Sequence, residues 1–350
     1  MIEFRHHDHD QHQGDSQTLE DLACAYWLSD LLFAAIELQL FGFLDKGPLT
    51  PHELARSTNY QEAPLSRLLT ALARLGLLGE DDGRWRNLPL ASRHLVPAAP
   101  EYLGDFLLYR RYLQAPWQGL AATVAGRPLS PVLSRQDDYP TRNLHYVRAL
   151  DQLARLKANE IIAQLEKISW RGPILDIGGG AGAMSRALVK QGLNRTLVRQ
   201  QQGTRATLFE LPEILAAART LYPDPNDWLG ISPVAGDFRT HAFPGNERFG
   251  LILMANFLHT YDEDSARHCL ERAIALLAEN AYLLIHDYCP DRTPIKGQLY
   301  DLNMMLNTHQ GCCVEASRIS DWLAASGLIH LSIIDLPSDS SLILAQAKPC

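Results

Sequence analysis

Residues 173–182 read PILDIGGGAG, a short apolar run that ends in an acid and opens at once into a cluster of glycines. An unbroken apolar run of this length is a strand buried on both faces. From Ala181 to Gln191 the apolar residues take helical spacing. Strand, glycine turn and helix in that order commit the chain to an α/β fold with a ligand at a strand end. Gly178, Gly179, Gly180 and Gly182 lie in the turn. Without Cβ atoms the backbone turns sharply there and a ligand can touch the main chain.

The ligand is not fixed by the glycines alone. Gly178-x-Gly180-x-x-Ala183 also satisfies a loose dinucleotide fingerprint. Asp176, however, stands just before the first glycine, where its charge repels a pyrophosphate and attracts an ammonium or sulfonium. Further acids follow at the ends of later strands. A cationic amino-acid-plus-nucleoside cofactor, S-adenosylmethionine, fits this pattern better than a dinucleotide.

A chain of 350 residues, 46% apolar, buries a large core and is expected to form one or two domains. Its net charge of -8, with no basic run, argues against a nucleic-acid partner. No apolar stretch reaches about 18 residues and no signal peptide is visible, so no membrane partner and a cytoplasmic location are expected. The six cysteines form no CxxC pair and no zinc spacing, as expected of reduced thiols and no metal site. The first 17 residues, with His6, His7, His9 and His12, read as a flexible polar tail.

Residues 18–113 have helical patterning. LSDLLFAAIELQLFGFLDKG predicts one helix ending near Gly42, and two shorter helices and a hairpin-like tip follow. Thr50 with Glu53 forms a capping box, and Asp82-Gly83 is a hairpin turn signal. Helix, helix, hairpin is the order of a winged helix. Its would-be recognition helix, APLSRLLTALARLG, is mostly apolar, which favours dimerisation over DNA reading. Residues 114–170 read as a helical linker, with a long helix from about Tyr139 to Glu166. Beyond it, strands are predicted at 173–177, 206–210, 232–236, 249–255 and 281–287, alternating with helices. HLSIIDL and SLILAQAK are joined by only PSDSS and must pair antiparallel. The segment LNRTLVRQQQGTRA, with Arg195, Arg199 and Arg205, makes the step from Asp176 to Glu210 unusually long and reads as a surface loop.

ILDIGGGAG, LFELPEI, VAGDF, FLHTYDED, LLIHDYCP and a final D-x-N-M-M-x-N segment, in this order, resemble the small-molecule O-methyltransferases. The resemblance is to the plant caffeate and bacterial polyketide and hydroxyindole types, and it covers residues 18 to 348. It implies a Rossmann-like class I methyltransferase sheet at 171–350, parallel with a C-terminal antiparallel hairpin. It further implies an N-terminal all-α, winged-helix-like domain that makes a homodimer, a small-molecule substrate, and S-adenosyl-L-homocysteine as cofactor product.

The resemblance carries over residue by residue. Gly178, Gly179 and Gly180 would lie against the methionine part of the cofactor, with Asp176 facing its ammonium. Glu210, beside Leu211, would take both ribose hydroxyls, a task for two acceptor oxygens. Gly236 and Asp237 would meet the adenine amino group, with the Phe238 ring stacked on the base, and Asn256 completes the cofactor set. His259 would be the general base, since an imidazole suits proton removal from a hydroxyl at neutral pH. Asp287 fills the place of the downstream family acid that supports it. Tyr146, Leu150, Phe257, Met304, Met305 and Thr308 are the expected substrate-lining residues.

Several positions depart from the family pattern. His259-Thr260-Tyr261 stands where His-Asp-Trp is usual, and Ala255 replaces a basic residue. In Gly311-Cys312-Cys313-Val314-Glu315, Cys313 aligns with a glutamate that should orient the imidazole, and Glu315 reaches that place only after a two-residue shift. The expected reaction is O-methylation of an aromatic or polyketide-like hydroxyl. The alternatives are the same fold and cofactor used for C-methylation, hydroxylation, decarboxylation or cyclisation, and a ligand-sensing winged-helix regulator.

Overall fold

The computed structural model describes residues 11–127, 139–199 and 204–349. His6, His7 and His9 lie outside them, and from Gln11 the chain is helical rather than a tail. The chain divides into two compact units, Met1–Tyr112 and Leu113–Cys350.

The first unit contains α1 (Gln11–Cys24), α2 (Tyr26–Glu37), α3 (Leu40–Asp45), α4 (Pro51–Thr58), α5 (Glu62–Arg74), the hairpin β1 (Leu78–Asp81) and β2 (Arg84–Asn87), α6 (Pro89–His94) and α7 (Gly104–Tyr112). The single helix expected to end near Gly42 is instead broken, because Gln39 takes a left-handed φ of 53° between α2 and α3. That break lets Ala35 and Ile36 on one helix and Leu40, Phe41 and Leu44 on the next turn into one core. The Thr50 hydroxyl accepts from the Glu53 amide while Glu53 accepts from the Thr50 amide, so the capping box is formed and α4 starts there. Asp82 and Gly83 both have positive φ (48° and 75°), the geometry of a tight hairpin turn with right-handed strand twist.

The second unit holds α8 (Gln114–Gln118), α9 (Leu120–Val124), α10 (Tyr139–Leu165), β3 (Ile174–Ile177), α11 (Ala183–Arg199), β4 (Ala206–Glu210), α12 (Pro212–Leu221), β5 (Ile231–Ala235), β6 (Phe249–Ala255), α13 (Glu263–Ile274), β7 (Leu277–Asp287), α14 (Pro294–Asn307), α15 (Ala316–Ala325), β8 (Ile329–Asp335) and β9 (Ser341–Gln346). Its seven-stranded sheet has the order β5-β4-β3-β6-β7-β9-β8. The first five strands run parallel, and β9 pairs antiparallel with both β7 and β8. Of the segment read as a surface loop, the part through Arg199 belongs to α11, and residues 200–203 lie outside the described set.

Two-residue periodicity splits the strand side chains between the sheet faces. Ile174, Leu251 and Leu253 join Ala158, Ile161 and Leu165 of α10 and Leu188 of α11. Leu175, Ile177, Ile252 and Met254 join Ala266 and Leu270 of α13 and Trp322 of α15. Covering both faces leaves the carboxyl ends of the parallel strands as the ligand crevice. Among the described residues no helix is long and apolar enough to cross a membrane.

Candidate functional site

The crevice is built from the ends of β3, β4, β5, β6 and β7. After Ile177, Gly178, Gly180 and Gly182 all take left-handed φ values (68°, 59° and 81°). A Cβ on Gly178 would come within 2.4 Å of the Phe257 ring, and one on Gly179 within 2.5 Å of the Asp176 carboxyl. A Cβ on Gly180 would meet nothing within 4 Å, so the main chain itself forms the surface there.

Asp176 does not open onto the crevice as a direct ammonium partner would. It is 0% exposed beneath the turn, and its Oδ2 accepts from the Ser185 hydroxyl at 2.6 Å. Its Oδ1 is buried without a hydrogen-bond partner. Burial pushes its carboxyl up to about 6 against the pull of Ser185 and Arg186.

Glu210 ends β4 directly opposite the turn. Its Oε2 accepts from the Gly180 amide at 2.9 Å and its Oε1 from the Leu211 amide at 2.7 Å. Burial, reinforced by Asp176 and Glu213, pushes its carboxyl up to about 7 although the two amides favour the charged form. Leu211, 37% exposed, presents an apolar side chain beside it.

The end of β5 differs from expectation. The Asp237 carboxylate is held by Arg239, with Nη2 to Oδ2 at 2.8 Å, and this pairing lowers its pKa. Phe238 is not a free stacking platform. Its ring packs edge-on against Phe209 and Phe257 inside the core, with the Arg272 guanidinium 5.2 Å from its centre. Gly236 lies over the Phe209 ring, where a Cβ would come within 2.7 Å. Arg239 sits 5.0 Å over the ring of Tyr261, the residue in the place of the family tryptophan.

At the end of β6, Asn256 adopts a left-handed φ of 53° and its Oδ1 is buried without a partner. Asparagine is among the few side chains that adopt this conformation readily. Phe257 is buried, its ring 5.1 Å from that of Tyr261, so it backs the glycine turn rather than lining a pocket. His259 follows in a short 3₁₀ turn and is 5% exposed. Its Nδ1 contacts Asp287 Oδ1, and its own amide donates to Asp287 Oδ2 at 3.3 Å. The Tyr288 amide donates to Asp287 Oδ1 at 2.8 Å. A carboxylate only accepts, so Nδ1 carries a proton, and in the neutral imidazole the lone pair is then on Nε2.

The acid bound to His259 is therefore Asp287. Glu315 stands exposed at the N-cap of α15 and does not take the family glutamate's place. Cys313 occupies that place with a neutral thiol, which burial pushes far above its ordinary value. Its amide donates to Asp301 Oδ1 at 2.7 Å.

Of the substrate-lining residues, Met304 is buried and Met305, on the next position of α14, is 41% exposed. The Thr308 hydroxyl donates to the Met304 carbonyl and accepts from the Gly311 amide, so it is spent closing the helix end. Tyr146 and Leu150 are half-buried on α10, Tyr146 against Val147, Ala181 and Ile214. Sequence reasoning missed Tyr300, whose ring stands edge-on to the His259 imidazole at 5.3 Å, and Trp117, which donates to Asn303 Oδ1 at 3.1 Å. Tyr300 lies one helical turn before Met304, which was the available signal.

Comparison with known proteins places this geometry in a family. A profile of the O-methyltransferase domain matches residues 122–328, and one of the O-methyltransferase dimerisation domain matches residues 20–97. The chain is 30% identical over 332 residues to 3-hydroxy-5-methyl-1-naphthoate 3-O-methyltransferase of Streptomyces sahachiroi, covering 91% of each chain. It is 28% identical to acetylserotonin O-methyltransferase of Rattus norvegicus, covering 96% of this chain and 78% of that one. The crystal structure of human N-acetylserotonin methyltransferase in complex with SAM shares the fold at 22% identity, with a TM-score of 0.82 over 98% of this chain and 100% of that chain. The chain belongs to the S-adenosylmethionine-dependent O-methyltransferases that carry an N-terminal dimerisation domain.

Proposed function

We propose that the protein transfers a methyl group to a hydroxyl of a small aromatic or polyketide-like molecule, with His259 as general base. The observation that carries this reading is the His259–Asp287 pair beside the glycine turn. The residues present fit the cofactor. Gly180 offers bare main chain, Glu210 ends its strand with two acceptor oxygens, and Asn256 Oδ1 is an acceptor with no protein donor. Gly178 to Gly180 would hold the methionine part, Glu210 the ribose hydroxyls, and Leu211 with Asp237 the base. Asp176 would act from beneath the turn, as a charge near the ammonium rather than a direct contact.

S-adenosylmethionine, when bound, supplies an electrophilic methyl on a positively charged sulfur. Asp287 fixes the imidazole tautomer and stabilises the imidazolium that forms. His259 Nε2 takes the hydroxyl proton as the oxygen becomes an ether, and the positive charge passes to the imidazole. The site's remaining task is alignment. Incubation with methyl-labelled S-adenosylmethionine and a set of naphthols and hydroxyindoles tests the reading. Label recovered in an ether product supports it, and binding without transfer to any hydroxyl contradicts it.

Glu210 makes cofactor affinity pH-dependent. Ribose hydroxyls donate to a carboxylate, so binding favours the ionised form of a group that burial holds near 7. Affinity for S-adenosylhomocysteine should rise with pH to about 7 and then level, weakening by up to about tenfold for each unit below. Proton release measured by calorimetry in two buffers checks this, and a flat profile contradicts it. In the cofactor-free protein the sign is opposite. The folded value lies above the ordinary 4.5, so this group's contribution to stability is lost as pH rises towards about 7.

The dimerisation domain supports a homodimer formed through the first unit, where Leu19, Leu22, Tyr26 and Trp27 are exposed on α1 and α2. Light scattering should give twice the chain mass, and Trp27→Asp should shift it towards the monomer. The thiols of Cys24, Cys269, Cys289, Cys312 and Cys313 are free, which suits a reducing cytoplasm.

A further inference from the structure

Lys157, on α10, is only 3% exposed. Its Nζ donates to Ser340 Oγ at 2.9 Å and Ser338 Oγ at 3.1 Å, with the Ser338 carbonyl at 3.5 Å. Three oxygen acceptors around one amine nitrogen match the three N–H bonds of an ammonium. The Ser338 hydroxyl donates to Glu160 Oε2 at 2.7 Å, which anchors the cradle to α10 again. The same ammonium lies 4.8 Å from the centre of the Tyr288 ring. Tyr288 stacks on Tyr300 with centroids 3.8 Å apart, and Tyr300 meets His259 edge-on at 5.3 Å. The His259 ring also lies 6.5 Å from the Tyr288 ring, so a buried cation, two stacked rings and the proposed base form one cluster.

We propose that Lys157 is a positioning residue for methyl transfer, its ammonium acting across the Tyr288–Tyr300 stack to keep His259 in the unprotonated form that accepts the substrate proton. The proposal rests on His259 being the base. Two charges then oppose each other at the imidazole. Asp287, in contact, favours the imidazolium, while the ammonium on the far side of the rings disfavours it. Lys157 and Tyr288 are both buried, so the field is screened less than it would be in water.

Other titratable groups surround the imidazole and the ammonium. His286, the β7 residue beside Asp287, bonds Ser340 Oγ at 2.9 Å, and burial, with Lys157 second, drives it down to about 3. It stays neutral and cannot cancel the ammonium. The Cys289 and Cys313 thiols are pushed up by burial and are also neutral. Tyr288 and Tyr300 contribute phenols, and Asp301 on α14 is bound to the Cys313 amide. On the cradle side, Asp339 is paired with Lys296 at 2.7 Å, and the Glu160 carboxylate, one Ser338 hydroxyl away from the ammonium, offsets part of its field.

The test is the pH profile of kcat in saturating substrate for the full-length enzyme. Lys157→Met should move the acid limb up by as much as about one pH unit, the order expected of a unit charge about 10 Å away in a protein-like dielectric. Activity should fall at neutral pH and recover towards the alkaline plateau. Lys157→Arg, which keeps the charge, should return the limb to its original position. Titration of His259 by NMR on ¹³C-histidine protein should follow the same shift. A limb that does not move in Lys157→Met, or a loss equal at every pH, overturns the proposal. Should Lys157→Met not fold, Ser338→Asp sets a carboxylate on the ammonium from a half-exposed position, and again only an upward shift supports the idea. His259→Asn separates the two readings. Retained turnover removes the base assignment itself, whereas lost turnover with an unmoved limb in Lys157→Met removes only the role of Lys157.

Discussion

His259→Asn should lower kcat for methyl transfer by about 10² to 10⁴-fold while leaving S-adenosylhomocysteine affinity within about threefold of wild type. Asparagine keeps a polar side chain of similar reach beside Asp287, so the short turn at Leu258–Thr260 retains its partner. What disappears is the Nε2 lone pair. The hydroxyl must then lose its proton to water, and only substrates acidic enough to ionise unaided keep appreciable turnover. The residual rate of the variant should accordingly rise with pH as the substrate ionises. Single-turnover kinetics with a phenol series checks this, and a variant with a wild-type rate on a weakly acidic phenol contradicts the assignment. Because Asp287 contacts the imidazole through Nδ1 and holds the local backbone through the His259 and Tyr288 amides, Asp287→Asn should cost both orientation and rate.

Gly180→Ala should reduce cofactor affinity by about 100-fold or more while costing the fold only its backbone strain. Its φ of 59° costs an alanine about 1–2 kcal/mol. The new methyl meets no protein atom within 4 Å, so nothing in the fold is displaced. The methyl instead fills the space where a ligand would touch the main chain. Gly178 behaves differently. A methyl there strikes the Phe257 ring at 2.4 Å, and that ring is itself wedged against Phe238 and Tyr261. Gly178→Ala should therefore lower both thermal stability and affinity. Calorimetry paired with thermal melts separates the two variants, and unchanged affinity in Gly180→Ala would show that the ligand lies elsewhere.

The parts of the fold legible in the sequence were those fixed by burial on both faces. β6 is an unbroken apolar run, FGLILMA, and its bounds follow from that pattern alone. β7 begins at Leu277, earlier than its apolar core, because Leu277 pairs with Phe249 before the register shifts past an exposed Glu-Asn pair that reads as a turn. The break at Gln39 was hidden because glutamine carries no local signal for a left-handed φ. The candidate positions at strand ends could be placed because the glycine turn orders everything after it. Phe238 was not, since whether an aromatic ring faces a crevice or a core depends on neighbours such as Phe209 and Arg272 that are distant in sequence. The cluster from Lys157 to His259 was illegible for the same reason, joining residues on α10, the β8–β9 turn, α14 and the end of β6.

Isothermal titration of the cofactor-free protein with S-adenosylhomocysteine, run beside a nicotinamide dinucleotide, bears most directly on the glycine turn and Glu210. Saturable binding of the thioether nucleoside, lost in Gly180→Ala, with no heat from the dinucleotide, is the outcome this geometry requires. Tight dinucleotide binding in the absence of any response to S-adenosylhomocysteine would contradict it.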